Sequence, residues 1–173
     1  SACTKTLLAT IGEGYDKLKQ SHIDAWEQLW EINDIVIKGD EVAQRALRFC
    51  IYHLLIAAPR HDEHISISAK SLSGFGYKGH IFWDTELFAA PPLILTQPEL
   101  ARRLLMYRYH NLAGARKKAK DAGFKGALFP WESTDMGQET TPCWLDNVDS
   151  TGERIRIWTG DHEQHIASDI AHA

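Results

Sequence analysis

Apolar side chains recur every three or four positions from Leu8 through Ile11, Tyr15, Leu18, His22 and Trp26 to Leu29, the spacing of one face of an α-helix. The pattern predicts a long amphipathic helix over residues 4–33, broken at Gly12-Glu13-Gly14. Asp34-Ile35-Val36-Ile37 reads as a short extended link. Gly39-Asp40 then offers an N-cap for a second helix over residues 41–58, which Pro59 ends. From Phe49 to Ala58 that helix is apolar nearly all round, so it is predicted to be buried.

A third, shorter helix is predicted to start at Asp84 or Thr85 and to stop or kink at Pro91-Pro92. Thr96 is placed as the cap of a fourth helix, with Pro98 in its first turn and Leu100, Leu104, Tyr107 and Asn111 down one side. Gly123 is its expected C-terminal cap. Val148-Asp149-Ser150-Thr151-Gly152 followed by the alternating Arg154-Ile155-Arg156-Ile157-Trp158 predicts a small β-hairpin. A last helix begins near Gly160-Asp161 and is cut off at Ala173, as in a truncated product. Residues 59–83 and 124–159 are long connections for a helical bundle, whose links usually run about 2–8 residues. Long loops carrying Trp, Asp, Glu and Gly are characteristic of a site mounted on a rigid scaffold.

Composition narrows the field. The 173 residues suit one domain with a core, and the formal charge of −4 gives no general attraction to nucleic acid or an anionic membrane. The basic run Arg116-Lys117-Lys118-Ala119-Lys120 reads as a solvated helix face. No stretch reaches the roughly 18 apolar residues of a membrane span, and no signal peptide opens the chain. Cys3, Cys50 and Cys143 are odd in number and far apart, which indicates neither a disulfide framework nor a zinc site and fits a reducing cytoplasm. His61/His64 and His162/His165 are three apart, not the four of the zincin H-E-x-x-H, so no metal site is assigned.

Two segments carry chemistry. In Gly74-Phe75-Gly76-Tyr77-Lys78-Gly79-His80-Ile81-Phe82-Trp83-Asp84-Thr85-Glu86, Trp83 offers a flat apolar face to a pyranose ring and Asp84 can accept bonds from two sugar hydroxyls. Asp84 also stands where a helix N-cap is wanted, and Glu86 where a helix dipole favours an acid. In Gly126-Ala127-Leu128-Phe129-Pro130-Trp131-Glu132-Ser133-Thr134-Asp135, followed by Thr141-Pro142-Cys143-Trp144, indole and carboxylate are paired again. Glu132 and Asp135 either bind hydroxyls or remain in water.

At these residues the chain resembles glycoside hydrolase family 65, which includes maltose, trehalose, kojibiose and nigerose phosphorylases and some trehalose hydrolases. The likeness runs through residues 22–30, 34–44, 47–54, 76–88, 108–133, 141–142 and 161–171. It is most specific at Gly-Tyr-Lys-Gly-His-Ile-Phe-Trp-Asp-Thr-Glu (76–86) and Gly-Ala-Leu-Phe-Pro-Trp-Glu-Ser (126–133). The resemblance implies an all-α fold, part of an (α/α)6 barrel with long irregular loops. Residues 1–38 would form the helical linker region and residues 39–173 the first part of the catalytic barrel. It also implies that Trp83 and Asp84 hold the glucosyl unit at the bond to be broken, and that Trp131 and Glu132 line the same pocket.

The family's phosphorylases invert configuration: one glutamic acid protonates the leaving oxygen and inorganic phosphate replaces the activated water, giving β-glucose 1-phosphate. The implied substrates are an α-linked glucose disaccharide and phosphate, with no further cofactor. The family's catalytic glutamate and phosphate-binding residues lie beyond the position of Ala173, and its N-terminal β-sandwich precedes this region. No catalytic residue is therefore assigned, least of all Glu63, Glu86, Glu132 or Glu139, and the isolated chain is expected to be inactive. Half a barrel leaves apolar helix faces uncovered, so self-association or the remainder of the enzyme is expected to cover them. The rival readings are a hydrolase on the same scaffold, a truncated sugar-binding or assembly remnant, and a plain helical interaction module.

Overall fold

The break expected at residues 12–14 falls at Gly14, whose φ of +81° costs a glycine little. In the computed structural model, which describes residues 2–173, Gly14 separates α1 (Ala2–Glu13) from α2 (Tyr15–Asn33). Two compact units follow from the distribution of contacts, Ser1–Ile51 and Tyr52–Ala173. Within the first, the extended link after α2 is held by side chains of α3 (Glu41–Ala57). The Gln44 side chain accepts from the Ile37 amide at 2.6 Å and donates to the Ile35 carbonyl at 2.9 Å. Asp40 caps α3 as expected, its Oδ1 accepting from the amides of Val42 and Ala43. Arg48 donates to both carboxylate oxygens of Asp34, and that hydrogen bond holds the Asp34 carboxyl below the ordinary aspartate range. A depressed carboxylate stabilises the folded state above its unfolded value and loses that contribution as pH falls through the lower folded value.

The burial expected along these helices is only partly present. Leu8, Ile11 and Tyr15 are exposed, and in the stretch from Phe49 to Ala58 only Leu55 and Ala58 are buried, while Phe49 is 64% exposed. The apolar stripes exceed what these residues can cover.

The second unit is built around four consecutive helical pieces. A π-helical turn, Thr85–Ala89, runs without a break into α4 (Ala90–Thr96), followed by α5 (Pro98–His110) and α6 (Leu112–Asp121). Pro91 and Pro92 do not end the helix. Lacking amide hydrogens, they would leave α-type carbonyls of the preceding turn unpaired, and the wider turn ahead of them accommodates this. Thr96 is the last residue of α4 rather than the cap of α5, and its hydroxyl donates back to the Pro92 carbonyl at 2.9 Å. The side of α5 predicted from spacing is the buried one: Leu100, Leu104, Tyr107 and the following Asn111 are all buried, and Ala90, Leu93, Ala101, Ala115, Ala119 and Ile166 are among the other core residues. The single helix expected from Pro98 to Gly123 is broken at Asn111 into α5 and α6; Gly123 follows the second piece with φ +81°, and the next amide, Phe124, bonds the Ala119 carbonyl at 2.8 Å.

Small strands close the loops onto this core. β1 (Ile81–Phe82) and β2 (Glu132–Ser133) form an antiparallel pair, in register Ile81 with Ser133 and Phe82 with Glu132. The predicted hairpin is present as β3 (Trp144–Val148) and β4 (Arg154–Arg156), its turn tied by Asp149 to the amides of Thr151 and Glu153. The last helix is split into α7 (Thr159–His162) and α8 (Ile166–His172). No helix among the described residues is long and apolar enough to cross a membrane.

Two glycines admit no side chain. A Cβ on Gly114 would lie 2.3 Å from the Gly137 carbonyl oxygen, and one on Gly137 would meet Asn111 at 2.4 Å. Glycine at both lets the loop after β2 rest directly on the start of α6.

At the centre lies a charge pair. Glu86 is 1% exposed, and Arg108 bonds both its carboxylate oxygens, at 2.8 and 2.9 Å. This partner, not the helix dipole, explains the acid at position 86. Arg108→Met, which strands the Glu86 charge, is expected to cost about 3–5 kcal/mol in urea unfolding, whereas pairing it with Glu86→Leu should recover most of the loss. Gly114→Ala is expected to cost about 1–3 kcal/mol by overpacking against the Gly137 carbonyl, and an unchanged urea midpoint would contradict that close approach.

Candidate functional site

The segments singled out by sequence meet above α5, and two consecutive residues of that helix hold them. Arg108 reaches one: besides Glu86 it donates to the Phe82 carbonyl at 2.8 Å, so a single guanidinium grips the chain on both sides of Trp83-Asp84. Tyr107 reaches the other. Its hydroxyl is 2.9 Å from Ser133 Oγ and donates to the Thr134 carbonyl at 2.5 Å, just after Trp131-Glu132.

Glu139 adds a third tie. One oxygen accepts from the Trp131 amide (2.9 Å) and from Lys118 Nζ (2.5 Å). The other accepts from the amides of Glu132 and Thr141 (3.2 Å each) and from the Thr141 hydroxyl (2.7 Å).

These ties bring the indoles of Trp83 and Trp131 together, with ring centroids 6.0 Å apart. Trp83 also touches Phe88 (5.7 Å), and Trp131 touches Phe82 (6.4 Å). An exposed histidine, His165, stands edge-on to Trp83 at 4.8 Å and lies 6.1 Å from Trp131. Its two ring nitrogens lie 3.2 Å from Glu163 and 3.6 Å from Asp169. His165 carries no local signal in the sequence except as one of a histidine pair, because its neighbours at the site lie far away along the chain. Among the described residues no group of His, Cys, Asp and Glu is arranged to hold a metal ion.

Asp84 departs from the arrangement expected of it. It is exposed, makes no capping bond, and has no hydrogen-bond partner among the described residues. It lines a cavity of about 290 Å³ whose walls include Ser71, Phe82, Thr85 and Phe88 but neither indole. The cause is local: Asp84 has helical φ/ψ (−53°, −33°), and successive helical side chains diverge by about 100°. Glu132 is nearly buried rather than in water: it is 6% exposed, with Oε1 held 2.6 Å from His80 Nδ1 and Oε2 without a partner among the described residues. A further cavity of about 400 Å³ lies beyond Glu139, and its lysines are already paired, Lys117 with Asp121 and Lys118 with Glu139.

The arrangement is suited to binding a polyhydroxylated ligand. Paired indoles supply apolar surface, and the Trp83 Nε1–H is a buried donor with no acceptor among the described residues; Asp84 is an uncommitted acceptor in the adjoining cavity, not against the indoles. Each glutamate that invites a catalytic assignment has another partner: Glu63 meets His110, Glu86 meets Arg108, Glu132 meets His80, and Glu139 meets Lys118.

Residues 48–173 match the family described as glycosyl hydrolase family 65 central catalytic domain. The chain belongs to that family. A kojibiose phosphorylase from Thermoanaerobacter brockii is 53% identical over 173 residues, covering 100% of this chain and 22% of the relative. A kojibiose hydrolase from Flavobacterium johnsoniae is 42% identical over 96% of this chain and 22% of its own length. A solved structure of a human-microbiome protein assigned as a kojibiose phosphorylase superposes with a TM-score of 0.73 at 30% identity, covering 79% of this chain and 18% of that one. This likeness and the helical architecture make the fold all-α, part of a helical barrel. The chain spans about a fifth of the length of the curated relatives it matches.

Burial pushes the Tyr107 phenol above its ordinary value, against the smaller lowering effect of its bond with Ser133. A raised value means the tyrosine stabilises the fold below its unfolded pKa of about 10 and loses that contribution as pH rises further. Tyr107→Phe is expected to cost about 1 kcal/mol at neutral pH and to flatten stability above about pH 10, as read by urea midpoints across pH.

Proposed function

We propose that this chain is the first part of the catalytic barrel of an inverting α-glucoside phosphorylase, which splits an α-linked glucose disaccharide with inorganic phosphate and releases β-glucose 1-phosphate. The observation that carries the reading is the juxtaposition of Trp83 and Trp131, 6.0 Å apart on loops that α5 and Glu139 pin in place, in a chain about half identical to a kojibiose phosphorylase. On this reading the segment supplies the sugar-binding wall. Trp83 and Trp131 present apolar surface, Asp84 accepts from glucosyl hydroxyls, and Glu132 contributes a fixed carboxylate.

The chemistry needs one acid to protonate the leaving oxygen while phosphate attacks the anomeric carbon from the opposite face. We assign that acid to the polypeptide beyond these residues, since Glu63, Glu86, Glu132 and Glu139 are each engaged elsewhere. The same rest of the enzyme, or a second copy, covers exposed apolar side chains such as Leu95, which is 86% exposed. No cofactor beyond phosphate enters the scheme. The second reading, a hydrolase, has its support in the 42% identity with the kojibiose hydrolase.

The test is to supply kojibiose with and without phosphate to the protein made from the complete reading frame that contains this chain. Phosphate-dependent release of glucose 1-phosphate, β by NMR, is expected; glucose release indifferent to phosphate would favour the hydrolase. The 173-residue chain alone is expected to release neither product. In the complete protein, Trp83→Ala is expected to lower kcat/KM about a hundredfold, on the order of 2.7 kcal/mol of transition-state stabilisation.

A further inference from the structure

The turn that precedes β1 is unusual in its backbone. Tyr77, Lys78 and Gly79 all have left-handed φ, at 61°, 52° and 80°, and two of the three are not glycine. Non-glycine residues in that region are strained and persist where the surroundings over-determine them. The turn packs Tyr77 on Phe82, with ring centroids 4.9 Å apart, and leads directly into His80. The His80 amide closes it on the Tyr77 carbonyl at 2.8 Å, and the His80 ring then meets Glu132 across the β1–β2 pair. His80 Nδ1 lies 2.6 Å from Glu132 Oε1, within hydrogen-bond distance.

Glu132 is fixed at its main chain as well. Its amide bonds Glu139 at 3.2 Å, and its carbonyl accepts from the Thr140 amide at 2.9 Å and the Thr140 hydroxyl at 3.0 Å. The Thr140 hydroxyl is also 3.5 Å from His80 Nδ1. Glu132 Oε2 alone has no hydrogen-bond partner among the described residues.

We propose that His80 is a positioning residue of the sugar site: it locks Oε1 of Glu132 through its Nδ1–H, so that Oε2 is left fixed to accept a hydroxyl of the bound disaccharide. The inference rests on the reading of Glu132 as a sugar ligand. A loose carboxylate would have to be ordered by the ligand itself, at a cost in affinity, whereas one held in advance has already lost that freedom. His80 touches no reacting atom in this scheme, so its loss should appear in KM more than in kcat.

The experiment uses the protein made from the complete reading frame, with kojibiose as the probe at saturating phosphate. Glu132→Gln is expected to raise KM at least tenfold. His80→Leu is expected to do nearly the same, with kcat changed less than threefold. The double variant should be no worse than the poorer single one. His80→Asn, whose amide nitrogen takes the place of Nδ1, should stay within threefold of the parent KM, while His80→Gln, which mimics the other ring nitrogen, should not. If Glu132→Gln leaves KM unchanged, the sugar-site reading of Glu132 falls and the role of His80 with it. If Glu132→Gln raises KM while the His80 variants do not, or the two losses multiply in the double variant, only the positioning role is overturned. Should His80→Leu fail to fold, the Asn and Gln pair decides alone, and equal KM values in the two overturn the proposal.

Discussion

Everything around the candidate site depends on one buried guanidinium. Arg108 has left water to bond the two oxygens of Glu86 and the carbonyl of Phe82, three acceptors on a segment that also holds Trp83 and Asp84. A buried ion pair is weak evidence for net stability, because desolvation opposes the attraction. Its value here is geometric. Charge, fork shape and burial together admit few arrangements of the segment, and the strand residue on one side of Trp83-Asp84 cannot move independently of the π-helical residue on the other.

The opposite loop hangs from the same helix by the neutral bonds of Tyr107, with charge-assisted bonds to Glu139 outside the helix added to them. Tyr107 holds Ser133 and Thr134, Glu139 holds the amides of Trp131 and Glu132, and the loop closes onto α6 where Gly114 and Gly137 leave no room for a Cβ. A site built this way has its precision in the helix and its chemistry in the loops. The short β1–β2 pair is then a consequence of two loops fixed side by side.

Much of this was legible in the chain. The period of α5, the break at Gly14, the Asp40 cap, the Gly123 terminus and the hairpin after Val148 are local features, decided by residues within a few positions of each other. Local rules misplace Thr96 because a cap and a last-turn threonine bonding back to the Pro92 carbonyl carry the same local signal; they misplace Glu86 because a helix dipole is a sufficient reason for an acid there, while its deciding partner is Arg108, 22 residues on. His165 and the His80–Glu132 contact were invisible for the same reason, being long-range pairings with no periodicity to betray them. Burial was overread along α1–α3, since a stripe shows that a face is apolar and not that its cover lies within the same residues.

The indole at position 83 shows how packing alters a function read from residue type. An isolated tryptophan on a loop invites the picture of a sugar stacked on a bare ring. Trp83 instead has three ring neighbours within 6.0 Å, Phe88, Trp131 and His165. Its ring is the hub of an aromatic cluster, and its unsatisfied Nε1–H is a directional donor set within that cluster. A ligand held there meets a composite surface whose shape depends on all four rings. On the proposed reading, changing any of them should alter recognition through the others, because the ring of Trp83 is placed by the loops that Arg108 and Tyr107 hold together.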